Sequence, residues 1–459
     1  MNYIIFGISC YLAVFLVRKL SKPLELLAEK SVSLLDALLS SEDEEIKVQK
    51  VQSRTFAVLK YLLIAFIIFS MVICVAIVPV WLTNKILDPK LGSDFSPFNW
   101  KGILALTVGS TLGFVVPKPK TKGDYTLVIK LLHRLILDNY NLHIKLHKRE
   151  VKRHHLKSKT SREDFIIITG LARAGTTSLL NKLANKKNIK SLHYGNMPFL
   201  LAPNLWKRFY NPTPGELKER SHKDGIMVNN VSYEALEEYF FKAISNDSYI
   251  LETDINEYEL SSEDCQAYLD YQMLLRADSA DRYLAKNNNF LIRYDAIRKY
   301  NSEFKMILMF RAPLTHAASL LEKHIQYSES QEHDSFQLEY MNWLGHHEFG
   351  LNQKPFYFTG GKQIIEKDSD KFHLDYWLQS WLNYYTKAIH INSLNVLYVC
   401  YEDYCSEPKK HLENILEFLA IPESVTEEEP YSANREVSKP YSKELLLAAN
   451  EIYEKLKTK

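Results

Sequence analysis

Phe165-Ile-Ile-Ile-Thr169 runs directly into Gly170-Leu-Ala-Arg-Ala-Gly175-Thr-Thr177, and an amphipathic stretch, Thr176 to Leu183, follows. A short run that is apolar on both faces reads as a strand buried in a parallel sheet. A glycine-bearing turn that opens a helix reads as a phosphate loop, where backbone N–H groups and the positive helix end converge on an anion. Few folds admit that succession. Further apolar runs at Phe290–Tyr294, Lys305–Phe310 and Val396–Cys400 are expected as strands, and Leu314–Gln326 and Lys409–Leu419 as helices. The alternation predicts an α/β fold, a parallel β-sheet flanked by helices, with ligands at the carboxyl ends of the strands.

The loop has the spacing of GxxxxGK[ST] with one change: Thr176 stands where a nucleoside-triphosphate loop carries lysine. That lysine reaches the β- and γ-phosphates, so its replacement argues against ATP or GTP hydrolysis. Arg173 supplies a fixed cation inside the loop, and Thr177 and Ser178 add hydroxyls. An ordinary strand–turn–helix with a threonine cap is the bland alternative. It does not account for strand, glycines, cation and paired threonines coinciding. A second constellation, Arg311-Ala-Pro-Leu-Thr-His-Ala-Ala-Ser319, also follows a strand. A guanidinium fork and a hydroxyl at that spacing can share one phosphate monoester. Taken alone, an arginine after a strand is as well explained by a cap or a surface ion pair.

Together the two stretches resemble the sulfotransferase family that uses 3′-phosphoadenosine 5′-phosphosulfate (PAPS). GLARAGTTSLL is similar to its 5′-phosphosulfate loop and FRAPLTHAASLL to its 3′-phosphate motif. The resemblance runs from about residue 163 to 425 and includes Lys286-Asn-Asn, expected just before a strand, and Tyr401-Glu-Asp-Tyr leading to Pro408. It implies a P-loop NTPase-like sulfotransferase fold with PAPS as donor. It implies that Arg173, Ala174, Gly175, Thr176, Thr177 and Ser178 hold the 5′-phosphosulfate, and that Arg311 and Ser319 hold the 3′-phosphate. The chain lacks the RKGxxGDW element of the cytosolic small-molecule enzymes and looks closer to bacterial and membrane-associated branches.

Sulfuryl transfer needs a base for the acceptor and cations for the leaving oxygen. Arg173 and Lys286 are the candidates for the cations. For the base, His193 lies near the place of a family carboxylate; Glu237 or Glu234 in SYEALEEYFF and His222 are its rivals. The two glutamates lie three residues apart and share a face if that segment is helical. Each of these residues has a plain alternative as a surface or loop group. Ser438-Lys439 is a candidate to close over the nucleotide. His346-His347 are adjacent and face apart in a regular element, and no Cys/His cluster at zinc spacing occurs, so no metal is expected. Trp206, Tyr210, Trp343 and Tyr376 are expected in the core more than as acceptor platforms.

Before this domain comes an apolar quarter. Tyr61 to Trp81 is 21 residues without a charge, enough to cross a bilayer as a helix. Ile4–Val17 ends in Arg18 and Lys19 and is expected as a second span or anchor, and Ile103–Val116 as a third span or a re-entrant segment. Pro23–Leu39 has one apolar helical face. Residues 1–122 thus read as a membrane module with two or three transmembrane helices, and 123–459 as the catalytic domain. The basic residues after the first span and around Lys118–Lys122, with the run Lys145–Lys159, place that domain on the cytoplasmic face if three segments cross. The same run is equally a solvated juxtamembrane helix held near anionic lipid. The formal net charge is only +2, so no global field recruits nucleic acid. The expected partners are the bilayer, PAPS and an acceptor that the sequence does not name. A membrane-bound P-loop kinase and an inactive scaffold of the same fold remain as alternatives.

Overall fold

A computed structural model describes residues 2–39, 44–86, 96–115, 127–155, 162–212, 218–219, 227–229, 231–359, 365, 370–425, 429–431 and 436–459. The chain divides into two units, Met1–Asp138 and Asn139–Lys459. The division falls after the expected residue 122 because helix α5 packs on helix α2 of the first unit.

The first unit is helical: α1 Asn2–Lys19, α2 Ser21–Leu39, α3 Glu44–Ile86, α4 Trp100–Val115 and α5 Leu127–Leu137. α3 is 43 residues long and contains the uncharged Tyr61–Trp81 stretch. Among the described residues it is the one helix that alone is long and apolar enough to cross a membrane. Its large side chains point outward, Phe66 and Phe69 each being 68% exposed. α1 and α2 meet the same criterion only as one bent pair. α4 has 16 residues, a rise of about 24 Å at 1.5 Å per residue, against a hydrocarbon core of about 30 Å. It packs on α1 so closely that a Cβ on Gly109 would lie 2.1 Å from the Gly7 carbonyl oxygen. Helix length and composition therefore do not supply the three crossings on which the cytoplasmic placement depended.

The second unit begins with α6, Tyr140–His155. It continues through β1 Ile166–Thr169, α7 Thr176–Ala184, β2 Ile189–Lys190, α8 Pro203–Trp206, α9 Glu238–Ser245 and α10 Ser262–Met273. After these come β3 Arg282–Lys286, α11 Tyr294–Tyr300, β4 Lys305–Phe310, α12 Pro313–His333, α13 Ser335–Trp343 and α14 Leu374–Ile389. β5 Val396–Cys400, α15 Tyr401–Ser406, α16 Pro408–Leu419 and α17 Lys443–Lys457 complete it. Beside two small two-stranded sheets, Lys218–Glu219 with Met227–Val228 and Ile255–Asn256 with Phe356–Tyr357, these five strands form one sheet in the order β2-β3-β1-β4-β5, every pair parallel. β1 lies at its centre, with Ile166 to Ile168 beside Leu284 to Lys286 on one side and Lys305 to Ile307 on the other. Ile166, Ile168 and Ile307 bury one face of the sheet against Leu179, Leu183 and Leu416 of α7 and α16. Strands apolar on both faces and covered by helices are what the alternation predicts.

One expected strand is absent. Phe290–Arg293 is a turn of 3-10 helix that leads into α11. The strand in this part of the chain is Arg282–Lys286, between β2 and β1 in the sheet, whose five residues are all buried. The Asn287 carbonyl oxygen accepts from the Thr169 hydroxyl at 2.8 Å and its side-chain oxygen from the Asn289 N–H at 2.9 Å, which turns the chain out of the sheet before Phe290. Lys286 is accordingly the last residue of a strand and not a residue before one.

Candidate active site

The phosphate loop is held from three sides. Gly175 has φ +91°, and a Cβ there would lie 2.6 Å from the Tyr401 ring, so only glycine lets the loop close on α15. Arg173 also occupies the left-handed region, at φ +73°, which is uncommon for a residue with a Cβ. Below the loop, the buried imidazole of His316 in α12 bonds the Ala172 carbonyl oxygen through Nε2 at 2.7 Å. Burial, with Arg311 nearby, pushes its pKa down to about 3, so the ring is neutral and Nε2 carries the donated proton. From α14, the Tyr385 hydroxyl donates to the Met309 carbonyl oxygen at 2.9 Å, and the Tyr384 hydroxyl lies 3.1 Å from that of Thr169.

Two sets of cationic and hydroxyl side chains meet at this loop. Arg173 Nε donates to Ser319 Oγ at 3.3 Å, joining the loop to the first turns of α12. Arg311 leaves the end of β4 and lies over the Tyr401 ring, its guanidinium carbon 4.7 Å from the centroid. Its buried Nε–H has no hydrogen-bond acceptor among the described residues; the Glu402 carboxylate stands 3.9 Å away. Glu402 itself is taken up by the backbone N–H of Ala312, at 3.0 Å, and by the Tyr453 hydroxyl, at 3.1 Å. A buried cation so sparsely compensated is suited to an anion.

Lys286 ends β3 beside the loop. Its ammonium donates to Thr177 Oγ1 at 2.9 Å and lies 3.6 Å from Glu234 Oε1. Glu234 is 7% exposed, and its other oxygen accepts from the Tyr194 hydroxyl at 3.0 Å. Arg173, Thr177, Tyr194, Glu234, Lys286, Arg311 and Tyr401 line one cleft of about 320 Å³, together with Tyr327, Tyr340 and Phe349 of α12, α13 and the loop after α13. A carboxylate, an ammonium and a phosphate loop are thus brought to the carboxyl ends of β1, β3 and β4.

The other expected site residues lie elsewhere. Glu237 is 1% exposed and faces the core, where its carboxylate accepts from Asn287 Nδ2 at 3.1 Å and from the Tyr268 hydroxyl. The helical-face argument fails here because α9 starts only at Glu238, and Glu234 lies before it in irregular chain. His193 is extended and lines a separate groove with Trp206 and Tyr210; its neighbour Tyr194 is the residue that turns to the cleft. His222 lies outside the described residues. His346 lines the cleft and bonds the Ala235 carbonyl oxygen at 2.9 Å, while His347 is buried against the Asn352 carbonyl oxygen at 2.9 Å. Ser438 and Lys439 are exposed and do not line the cleft. Trp343 and Tyr376 are core residues. Among the described residues no cluster of His, Cys, Asp and Glu is arranged to hold a metal ion. The sequence reading missed His316, Tyr194 and Glu402. His316 lies inside the quoted 3′-phosphate motif, and Glu402 two residues after the strand that ends at Cys400, within the quoted Tyr401-Glu-Asp-Tyr. Tyr194 carries no comparable signal.

No curated protein matches the chain in sequence. Solved structures similar to it include sulfotransferase STF1 of Mycobacterium tuberculosis, at 13% identity over 74% of this chain and 88% of that one, with a TM-score of 0.38. Another is a sulfotransferase of Alicyclobacillus acidocaldarius, at 14% identity over 65% of this chain and 95% of that one, with a TM-score of 0.32. The sequence profile of the Sulfotransferase family matches residues 165–425, which is more than half of the protein and spans both phosphate motifs, and the chain belongs to that family.

Proposed function

We propose that this sulfotransferase moves a sulfuryl group from PAPS to a hydroxyl or amine of an acceptor, a lipid or a glycan, and that α3 holds it in a bilayer. The observation that carries the reading is Lys286, whose ammonium stands between Thr177 of the phosphate loop and the Glu234 carboxylate. The residues fit a nucleotide with an anionic group at each end. Arg173 and Gly175 to Ser178 would take the 5′-phosphosulfate, and Arg311 with Ser319 the 3′-phosphate. The acceptor oxygen forms its bond to sulfur as the bond from sulfur to the bridging oxygen breaks. The acceptor's proton passes to Glu234, and the charge left on the bisphosphate is met by Lys286 and Arg173. Glu234 replaces Glu237 and His193 as the base, because it alone of the three lines the cleft beside Lys286.

The test is release or transfer of label from sulfur-35 PAPS by the full chain in detergent, with water and added alcohols as acceptors. Glu234→Gln is expected to lower turnover about 10²- to 10⁴-fold while binding of 3′,5′-adenosine bisphosphate is retained. Unchanged turnover in that variant would remove Glu234 from the mechanism. Turnover of magnesium-ATP in place of PAPS would overturn the donor.

A further inference from the structure

α6 has two unlike faces. His143, His147 and Glu150 are buried. His143 Nδ1 lies 2.7 Å from the Tyr239 hydroxyl of α9, and His147 Nδ1 lies 3.1 Å from the Leu201 carbonyl oxygen. Burial pushes the pKa of His143 down to about 3 and lowers that of His147, so the inward face carries no imidazolium. Glu150 is the one acid in the helix. It accepts from the backbone N–H groups of Asn204 and Leu205, at 2.8 and 3.0 Å, at the start of α8.

The outward face is the reverse. Lys145, Lys148, Arg149, Lys152 and Arg153 are all exposed. At 100° per residue they fall within an arc of about 140° opposite the buried face. None of the five forms an ion pair or hydrogen bond with another described residue. Solvated helix faces ordinarily interleave acids, because like charges three and four residues apart repel. Here the only acid is turned inward, so the repulsion is uncompensated within the helix. Leu142, 39% exposed, lies on the same face. In sequence, only Asp138 and Asn139 separate α6 from the helices of the first unit.

We propose that the outward face of α6 docks on the anionic headgroups of a bilayer. This rests on the reading that α3 crosses that bilayer, but not on the sulfuryl-transfer chemistry. Charge complementarity selects anionic lipid, and Leu142 among the cations suits the boundary between headgroups and acyl chains. Docking would give the catalytic unit a fixed face toward the membrane and so favour an acceptor presented there.

The test is lysine acetylation of the full chain in nanodiscs, read by mass spectrometry. Discs of phosphatidylcholine are compared with discs of phosphatidylcholine and phosphatidylglycerol at a ratio of about 3 to 1. Lys145, Lys148 and Lys152 are expected to be modified about fivefold less in the anionic discs, the ratio equivalent to ~1 kcal/mol per basic residue. High salt should erase the difference. The exposed Lys443 and Lys455 of α17 serve as references and should not change. Inorganic phosphate added to the neutral discs should not protect, which separates headgroups from free anion. In a Lys148→Glu/Arg149→Glu/Lys152→Glu variant the protection of Lys145 should vanish while binding of 3′,5′-adenosine bisphosphate persists, showing a folded domain. Equal modification in both discs, or protection that persists in the variant, overturns the docking surface. A chain that does not enter discs refutes the α3 span instead. It is then mixed with phosphatidylglycerol vesicles, where absence of lysine protection also overturns the docking surface.

Discussion

Glu237→Gln separates the core carboxyl from the cleft carboxyl through the pH dependence of stability. Glu237 is buried beside Glu238, and Asn287 Nδ2 donates to both, at 3.1 and 2.9 Å. Arg293 bonds directly to Glu238, which it grips through both terminal nitrogens, and reaches Glu237 only as a more distant charge. Burial raises the Glu237 pKa from an ordinary 4.5 to about 7, against lowering bonds from Tyr268, Asn287 and Tyr283 and the more distant Arg293 charge. A carboxyl raised in this way binds its proton more tightly in the native state. Its contribution to stability is fully present below about pH 4.5 and is lost as pH rises through about 7. Between pH 5 and 8 the loss amounts to roughly 2–3 kcal/mol at ~1.36 kcal/mol per pKa unit. Glutamine has no proton to lose. The stability of wild type minus that of Glu237→Gln should therefore fall by roughly 2–3 kcal/mol over that range. Pulse proteolysis in urea, scoring survival of the catalytic unit, measures both proteins at each pH. A flat or rising difference would refute the buried, uncompensated assignment. The same variant is expected to keep its sulfuryl turnover, since Glu237 does not line the cleft.

Arg293→Met leaves Glu238 buried without its cation and should destabilise the catalytic unit by about 3–5 kcal/mol, whereas the double variant Arg293→Met/Glu238→Gln should regain most of that; urea midpoints decide. Gly175→Ala places a Cβ 2.6 Å from the Tyr401 ring at φ +91°, and should weaken bisphosphate binding at least tenfold, equivalent to the ~1.4 kcal/mol that such strain readily costs. Calorimetry would show it, and wild-type affinity would mean that the loop closes differently.

Much of the catalytic unit was legible in the chain, for specific reasons. Ile166–Thr169, Lys305–Phe310 and Val396–Cys400 are continuous apolar runs, and a strand buried on both faces has no other pattern. The phosphate loop and the Arg311–Ser319 pair are local, so spacing alone brings their groups together. β3 was missed because Arg282 and Lys286 flank only three uncharged residues, while the more apolar Phe290–Ile292 next to it looked the better strand. Apolar runs of that length do not distinguish strand from helix. The sequence left the base open among His193, His222, Glu234 and Glu237 for a related reason. Whether Glu234 or Glu237 faces the cleft depends on the residue at which α9 begins, and His193 and Tyr194 part because the extended chain turns at Tyr194 into a 3-10 turn. A signal for Glu237 and Glu238 does exist: two adjacent glutamates before Tyr239-Phe-Phe241 require a buried partner, and Arg293 within Phe290-Leu-Ile-Arg is such a residue. In the first unit, composition alone picked out α3. It left Ile103–Val116 open between a span and a re-entrant segment, and it did not show that Gly7 and Gly109 pack α1 against α4.

The central claim is that the loop and the Arg311–Ser319 set hold the two anionic ends of one adenine nucleotide. Calorimetric binding of 3′,5′-adenosine bisphosphate to the full chain, with and without magnesium, tests it most directly, with Arg311→Ala and Thr177→Ala beside the wild type. Magnesium-independent binding is expected, weakened about 10- to 100-fold in Arg311→Ala, as loss of a charged hydrogen-bonding partner implies, and weakened also in Thr177→Ala. No binding by the folded wild type, or a preference for magnesium-ATP, would contradict it.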